Sequence, residues 1–291
     1  MAKQFLGKEV TAAVNEKLKQ RILKLEEQGV HPMLCMIRVG ENPGDLSYER
    51  GAKKRCELLG IGCETLCFPE NVSEKELLDA IERVNREERF HGVLLFRPLP
   101  AHLDQNKIEN ALSCEKDVDC MTDLSMSGVF TGKELGFPPC TAPACMEILD
   151  HYGIDCTGKR AVVIGRSLVI GKPAAMMLIQ KNATVTVCHT RTVDLPAVAR
   201  EADILVVAAG RSGIVGKEYV RPGQIVIDVG INVNEEGKLC GDVDYQAVEP
   251  VVASITPVPG GVGSVTTSVL ASHVVEAAER RLAQCGKHFC Q

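Results

Sequence analysis

The sequence predicts an α/β protein of two α/β domains flanking a cleft, the second a Rossmann-like doubly wound parallel sheet. Three observations carry that prediction. The chain has 291 residues, more than one ordinary domain of about 100–200 residues holds. Short apolar runs alternate with stretches of helical periodicity along nearly its whole length. One such run ends in a glycine turn that leads straight into a helix, Gly165-Arg166-Ser167-Leu168-Val169-Ile170-Gly171-Lys172-Pro173.

The elements follow in order. Apolar residues at Val10, Val14, Leu18, Ile22 and Leu25 make one face of a helix. MLCMIRV (33–39) is a buried-strand pattern, and after the polar loop GENPGD a helix should cover roughly 46–59 and stop at Gly60. GCETLCF (62–68) alternates as a strand does. Ser73 and Glu76 form a capping box ahead of Leu77, Leu78, Ile81 and Val84. GVLLF (92–96) is a short strand closed by Pro98 and Pro100. The proline-punctuated segment Gly136 to Ala144 marks the boundary. Beyond it, strands are expected at 160–165, 183–189, 203–209, 224–230 and 252–256, then a helix over about 265–284 that returns to the first domain. The expected division is therefore 1–140 plus 266–291 for the first domain and 141–265 for the second.

Composition narrows the function. Forty-five per cent hydrophobic and 24% charged residues make a globular chain. A net charge of −5 argues against a nucleic-acid partner. So does an aromatic content of 4% without tryptophan, which leaves no stacking platform for single strands. Thirteen cysteines run as far as Cys290 without a C-x-x-C pair, so neither a metal site nor a disulfide framework is expected. Reduced thiols imply a reducing compartment, and MAKQFLGKEV lacks the apolar core of a signal peptide. The longest uncharged stretch, 251–275, is broken by Pro257, Pro259 and glycines, so no membrane span is expected. The protein is expected to be cytoplasmic.

A helix N-terminus offers N–H groups and partial positive charge to a phosphate, although the usual G-x-G-x-x-G spacing is absent here. An NAD site generally places an acid about 20 residues past such a turn. The corresponding stretch is Cys188-His189-Thr190-Arg191-Thr192, with no acid before Asp194. A hydroxyl and a guanidinium suit a 2′-phosphate, which favours NADP. Taken alone, the turn also fits a tight strand–helix connection, and Arg191 a solvated surface charge.

These residues also carry a family likeness. GRSLVIGKP resembles the G-R-S-x-x-V-G-x-P turn of the methylenetetrahydrofolate dehydrogenase/cyclohydrolase (FolD) family, and PVPGGVGSVT (257–266) its P-V-P-G-G-V-G-P-M-T signature. VGENPGDLSY, EKDVDC, PCT, NATVTVCH, DVGIN and GDVDY fall in the family's order along the chain. The resemblance implies a homodimer with folate in the cleft. It implies NADP-dependent oxidation of 5,10-methylenetetrahydrofolate to the methenyl form, then hydrolysis to 10-formyltetrahydrofolate. By position, Tyr48 matches the tyrosine that stacks on folate and Asp119 the acid that binds its pterin. Gly165, Arg166, Ser167, Thr190 and Ile231 fall at cofactor positions, and Pro259, Gly260 and Gly261 in the loop between the two ligands; Gly171 of the turn and Arg191 of the strand end join them as cofactor-binding candidates. Without the family, Tyr48 reads as a half-buried helix tyrosine and Asp119 as a turn or cap residue.

Two departures bear on the chemistry. The family pattern is Y-x-x-x-K, and its lysine position is Ala52; the glutamine expected before R-P-L-P is Phe96. On a helix the fourth residue after Tyr48 lies about 40° from it, Lys53 about 140° and Lys54 about 120° away, while Arg55 returns to its face about 10 Å along the axis. Arginine is a poor proton shuttle. Hydride transfer is chiefly a positioning task, whereas hydrolysis needs proton transfer. The expectation is a working dehydrogenase with cyclohydrolase activity weak or lost. The alternatives are a fully bifunctional enzyme and a folate- and NADP-binding protein without turnover.

Overall fold

Branched apolar runs form the strands, and capping side chains fix where the helices begin. The structure, a computed structural model, describes residues 1–288, so Cys290 lies outside the described residues. The chain forms two compact units, residues 1–13 with 141–266, and residues 14–140 with 267 onward. The first 13 residues, expected with the first domain, group with the other unit. The reason is β1 (Lys3–Gln4), which pairs in parallel with Ser254–Ile255. A two-residue strand shows no period in a sequence.

The smaller sheet belongs to the second unit. After α1 (Gly7–Glu26) come β2 (Met33–Val39), α2 (Pro43–Leu59), β3 (Gly62–Phe68), α3 (Glu74–Arg86) and β4 (Gly92–Leu95). The strands pair in parallel in the order β3-β2-β4. α2 starts three residues earlier than expected, because Pro43 occupies its first turn and the Asn42 side chain accepts the Gly44 N–H at 2.8 Å. It ends at Gly60, whose φ of 77° is the left-handed stop glycine permits. The Ser73–Glu76 capping box forms as expected, each side chain accepting the other's backbone N–H. Its helix buries Leu77, Ile81 and Val84 against Ile37, Val93 and Leu95. α4 (Gln105–Asn110) and α5 (Asp123–Thr131), which no periodicity signalled, complete this stretch.

The larger sheet follows. α6 (Thr141–His151) opens inside the segment read as a boundary, then β5 (Arg160–Ile164), α7 (Gly171–Gln180), β6 (Thr184–Cys188), α8 (Leu195–Arg200), β7 (Ile204–Val207) and β8 (Ile225–Asp228) alternate. A short antiparallel pair, β9 (Asn232–Val233) and β10 (Leu239–Cys240), precedes α9 (Tyr245–Val248), β11 (Ser254–Ile255) and α10 (Thr266–His288). The sheet is parallel throughout in the order β1-β11-β8-β7-β5-β6. Strand order therefore reverses beside β5, the place where open α/β sheets bind ligands beyond their strand ends. Val162, Ile164, Leu205, Val207 and Val226 fill one core layer. No described helix is long and apolar enough to cross a membrane.

Candidate active site

β5 ends directly in the glycine turn. Gly165 adopts a φ of 131°, and a Cβ there would lie 2.2 Å from the Ala208 carbonyl oxygen. A Cβ on Gly171 would lie 2.2 Å from the Gly165 carbonyl oxygen. Only glycines let strand, turn and helix approach so closely. α7 begins with no side-chain cap, Ser167 Oγ accepting the Ile170 N–H at 3.1 Å in the turn before it. Arg166 and Ser167 are exposed. Backbone concavity, an uncapped helix and an Arg166 without a partner among the described residues fit a dinucleotide phosphate.

The end of β6 fits its ribose. Thr190 and Arg191 are exposed. Asp194, the first acid after them, is already spent as the cap of α8, accepting the Ala197 N–H at 3.3 Å. No carboxylate on that segment remains for ribose hydroxyls, and the Arg191 guanidinium has no partner among the described residues.

Two buried carboxylates, unmarked by any residue-level signal beyond their motifs, hold the remaining loops of this sheet. Asp228, at the end of β8, accepts the N–H groups of Gly230, Asp242 and Val243, each at 3.0 Å. Burial pushes its carboxyl up to about 6, against the pull of those donors. Asp242 accepts from Gly210 N, Arg211 N and Asn232 Nδ2. Together they fix the segment carrying Ile231, which is exposed. Asp228, Ile231, Pro259, Gly260, Gly261 and Ser264 line a cavity of about 300 Å³.

The other unit gathers its candidates beyond the ends of β2 and β4. Tyr48 lies on α2, its ring edge-on to Phe96 at 6.3 Å between centroids. One turn on, Ala52 is buried. The cations that follow point to other partners. Lys53 Nζ lies 2.6 Å from Glu49 Oε1, which Arg38 also engages through Oε2 at 2.9 Å. Arg55 Nε approaches Thr267 Oγ1 at 3.4 Å. Asp119 accepts the Cys140 N–H at 3.0 Å and lies 3.7 Å from Arg97, a neighbour that no spacing in the sequence marks. Burial pushes its carboxyl up, while the Cys140 N–H and Arg97 pull it back. Among the described residues no group of three potential ligands could hold a metal. The eleven cysteines with described side chains are free thiols.

A doubly wound parallel sheet with a phosphate-fitting turn, joined to a second α/β unit with its own polar site, defines a two-domain dinucleotide-dependent dehydrogenase. Residues 5–119 match the family described as tetrahydrofolate dehydrogenase/cyclohydrolase, catalytic domain, and residues 139–282 its NAD(P)-binding domain. The bifunctional protein FolD of Carboxydothermus hydrogenoformans is 52% identical over 96% of this chain and 98% of its own. The Campylobacter jejuni bifunctional FolD structure superposes with a TM-score of 0.93 at 39% identity, over 97% of this chain and all of that one. A Trypanosoma brucei dehydrogenase-cyclohydrolase, complexed with NADP cofactor and inhibitor, gives 0.90 at 34% identity, covering 97% of this chain and 98% of that one. The chain belongs to the tetrahydrofolate dehydrogenase/cyclohydrolase (FolD) family.

Proposed function

We propose that the chain is an NADP-dependent 5,10-methylenetetrahydrofolate dehydrogenase, on the single observation that its glycine turn and the acid-free end of β6 fit a 2′-phosphorylated dinucleotide. NADP, when bound, supplies the hydride acceptor. Ser167 and Gly171 hold the phosphates on backbone N–H groups in the turn and at the start of α7, with Arg166 beside them and Gly165 keeping the turn close to the strand, and Thr190 and Arg191 take the 2′-phosphate. Ile231 and the Pro259-Gly260-Gly261 loop shape the cavity for the reacting end. Tyr48 stacks on the pterin and Asp119 accepts its N–H donors. The methylene carbon lies between two nitrogens whose lone pairs stabilise the cation left by hydride departure, so these residues act by positioning.

For the hydrolytic half, the relatives' names favour the fully bifunctional enzyme over the loss expected from sequence, since two of the proteins compared above are called bifunctional and the third a dehydrogenase-cyclohydrolase. One observation favours a slow second step instead. Ala52 and Phe96 occupy the lysine and glutamine positions, and Lys53 and Arg55 are engaged with Glu49 and Thr267. A homodimer in a reducing cytoplasm completes the proposal, supported by the resemblance and by the free thiols; the mass measured by light scattering tests the dimer.

The deciding experiment mixes protein, 5,10-methylenetetrahydrofolate and NADP, and follows NADPH and methenyl absorbance separately. NADPH formation is expected. Methenyl that decays faster than in buffer supports the bifunctional reading, and decay at the buffer rate supports the slow one. Absence of NADPH would overturn the dehydrogenase and leave a binding protein.

A further inference from the structure

We propose that Arg97 is a positioning residue for folate recognition, reaching across from Glu109 to hold Asp119 in place as a charged acceptor; this rests on Asp119 being the pterin-binding acid. Arg97 is the second residue past the end of β4 and is only 22% exposed in its side chain. Its Nη1 lies 3.3 Å from Glu109 Oε1. Glu109 is tethered in turn, because Gln105 Nε2 donates to it at 3.0 Å while Gln105 Oε1 accepts the Leu99 N–H at 3.2 Å. The guanidinium is thus gripped on one side by an acid fixed to α4, and its Nη2 faces Asp119 Oδ2.

The separation of 3.7 Å is an ion pair, too long for a hydrogen bond. Asp119 gains a cation without surrendering Oδ2 to it, while Oδ1 takes the Cys140 N–H. That division matters for a ligand edge made of N–H donors. An ionised carboxylate only accepts, whereas a protonated one sets a donor against donors. The other groups nearby do not supply the missing cation. Asp117 is an acid already bonded to Met121 N, Thr122 N and Thr122 Oγ1. The Cys140 thiol is neutral, since burial raises it well above its ordinary value. On α10, His273 sits against Val118 O and Cys140 with burial lowering its affinity for a proton. Arg97 alone opposes the desolvation of Asp119 with a full charge.

The test is the pH dependence of turnover in the full-length protein, comparing Arg97→Leu, Arg97→Gln and Arg97→Lys with the parent from pH 5.5 to 9. Both neutral variants should raise KM for methylenetetrahydrofolate about tenfold at neutral pH and move the acid limb of kcat/KM upward by about one pH unit or more. Their folate KM should fall back toward the parent value at pH 9, with KM for NADP unchanged throughout. Arg97→Lys should return most of the limb. Profiles parallel to the parent's in both neutral variants would reduce Arg97 to packing and overturn the inference. Arg97→Gln retains a polar head, so it carries the test if the leucine variant melts early. Asp119→Asn separates the two ideas. An unchanged folate KM there overturns the reading of Asp119 itself. A raised one beside unmoved Arg97 profiles overturns the inference alone.

Discussion

At residue scale, position 52 carries most of the chemical consequence. Ala52 is 1% exposed and lies one helical turn from Tyr48. An ammonium placed there alone would be buried without an acceptor, at a cost of several kcal/mol. Ala52→Lys by itself should therefore lower the melting temperature and gain little. Ala52→Lys with Phe96→Gln supplies an amide oxygen as partner, at the loss of an edge contact with Tyr48 worth about 1 kcal/mol. The double variant should speed methenyl decay about a hundredfold if the parent's hydrolysis is slow. Equal decay in parent and double variant would show that hydrolysis runs by another proton path. Arg191, after β6, is exposed and its guanidinium has no partner among the described residues. Arg191→Ala should lower kcat/KM for NADP about tenfold or more and leave that for NAD unchanged. A parallel fall for both cofactors would remove it from the 2′-phosphate.

At element scale, the turn between β5 and α7 shows how much local geometry a sequence can reveal. Gly165→Ala would force a φ of 131° on a residue with a Cβ and set that Cβ 2.2 Å from the Ala208 carbonyl. We expect a loss of about 2 kcal/mol or more, read as a lower melting temperature. NADP binding measured by calorimetry should weaken, with folate binding less affected. Strand, glycines and helix of this turn were legible because each leaves its own mark: an apolar run, a residue free to adopt positive φ, and a proline in the first helical turn. β1, α4, α5 and α9 left none, being too short for their period to appear. The site was legible in the same uneven way. Tyr48, Ala52 and Phe96 could be placed because helix and strand periods are regular. The tether from Gln105 through Glu109 and Arg97 to Asp119 joins α4, the turn after β4 and a distant loop, and no spacing rule connects those positions. Asp228, at a strand end, and Asp242, in a loop, likewise show their roles only in the N–H groups they accept.

At the scale of the whole molecule, stability should depend on acidity through groups that belong to neither candidate site. His91 is buried, and its Nδ1 accepts the Met33 N–H at 3.2 Å, so that nitrogen must stay unprotonated in the folded chain. Burial, with Arg281 and Lys116 nearby, lowers its pKa from 6.5 to about 4. The unfolded chain then binds this proton below pH 6.5 while the folded chain refuses it until about pH 4. Each proton taken up in that window favours unfolding, and the stability lost from this one ring approaches about 3 kcal/mol when the window is fully crossed. Lys116 follows the same rule at the alkaline end. Burial and Arg281 hold it at about 8 rather than 10.5, so stability gains as pH rises between those values. Melting temperatures should therefore rise from pH 4 toward 6.5. His91→Asn keeps an acceptor for Met33 and removes the titration, so its curve should be flatter over that range than the parent's. Parallel curves for the two would mean that the buried carboxylates, not this imidazole, set the acid limit of the fold.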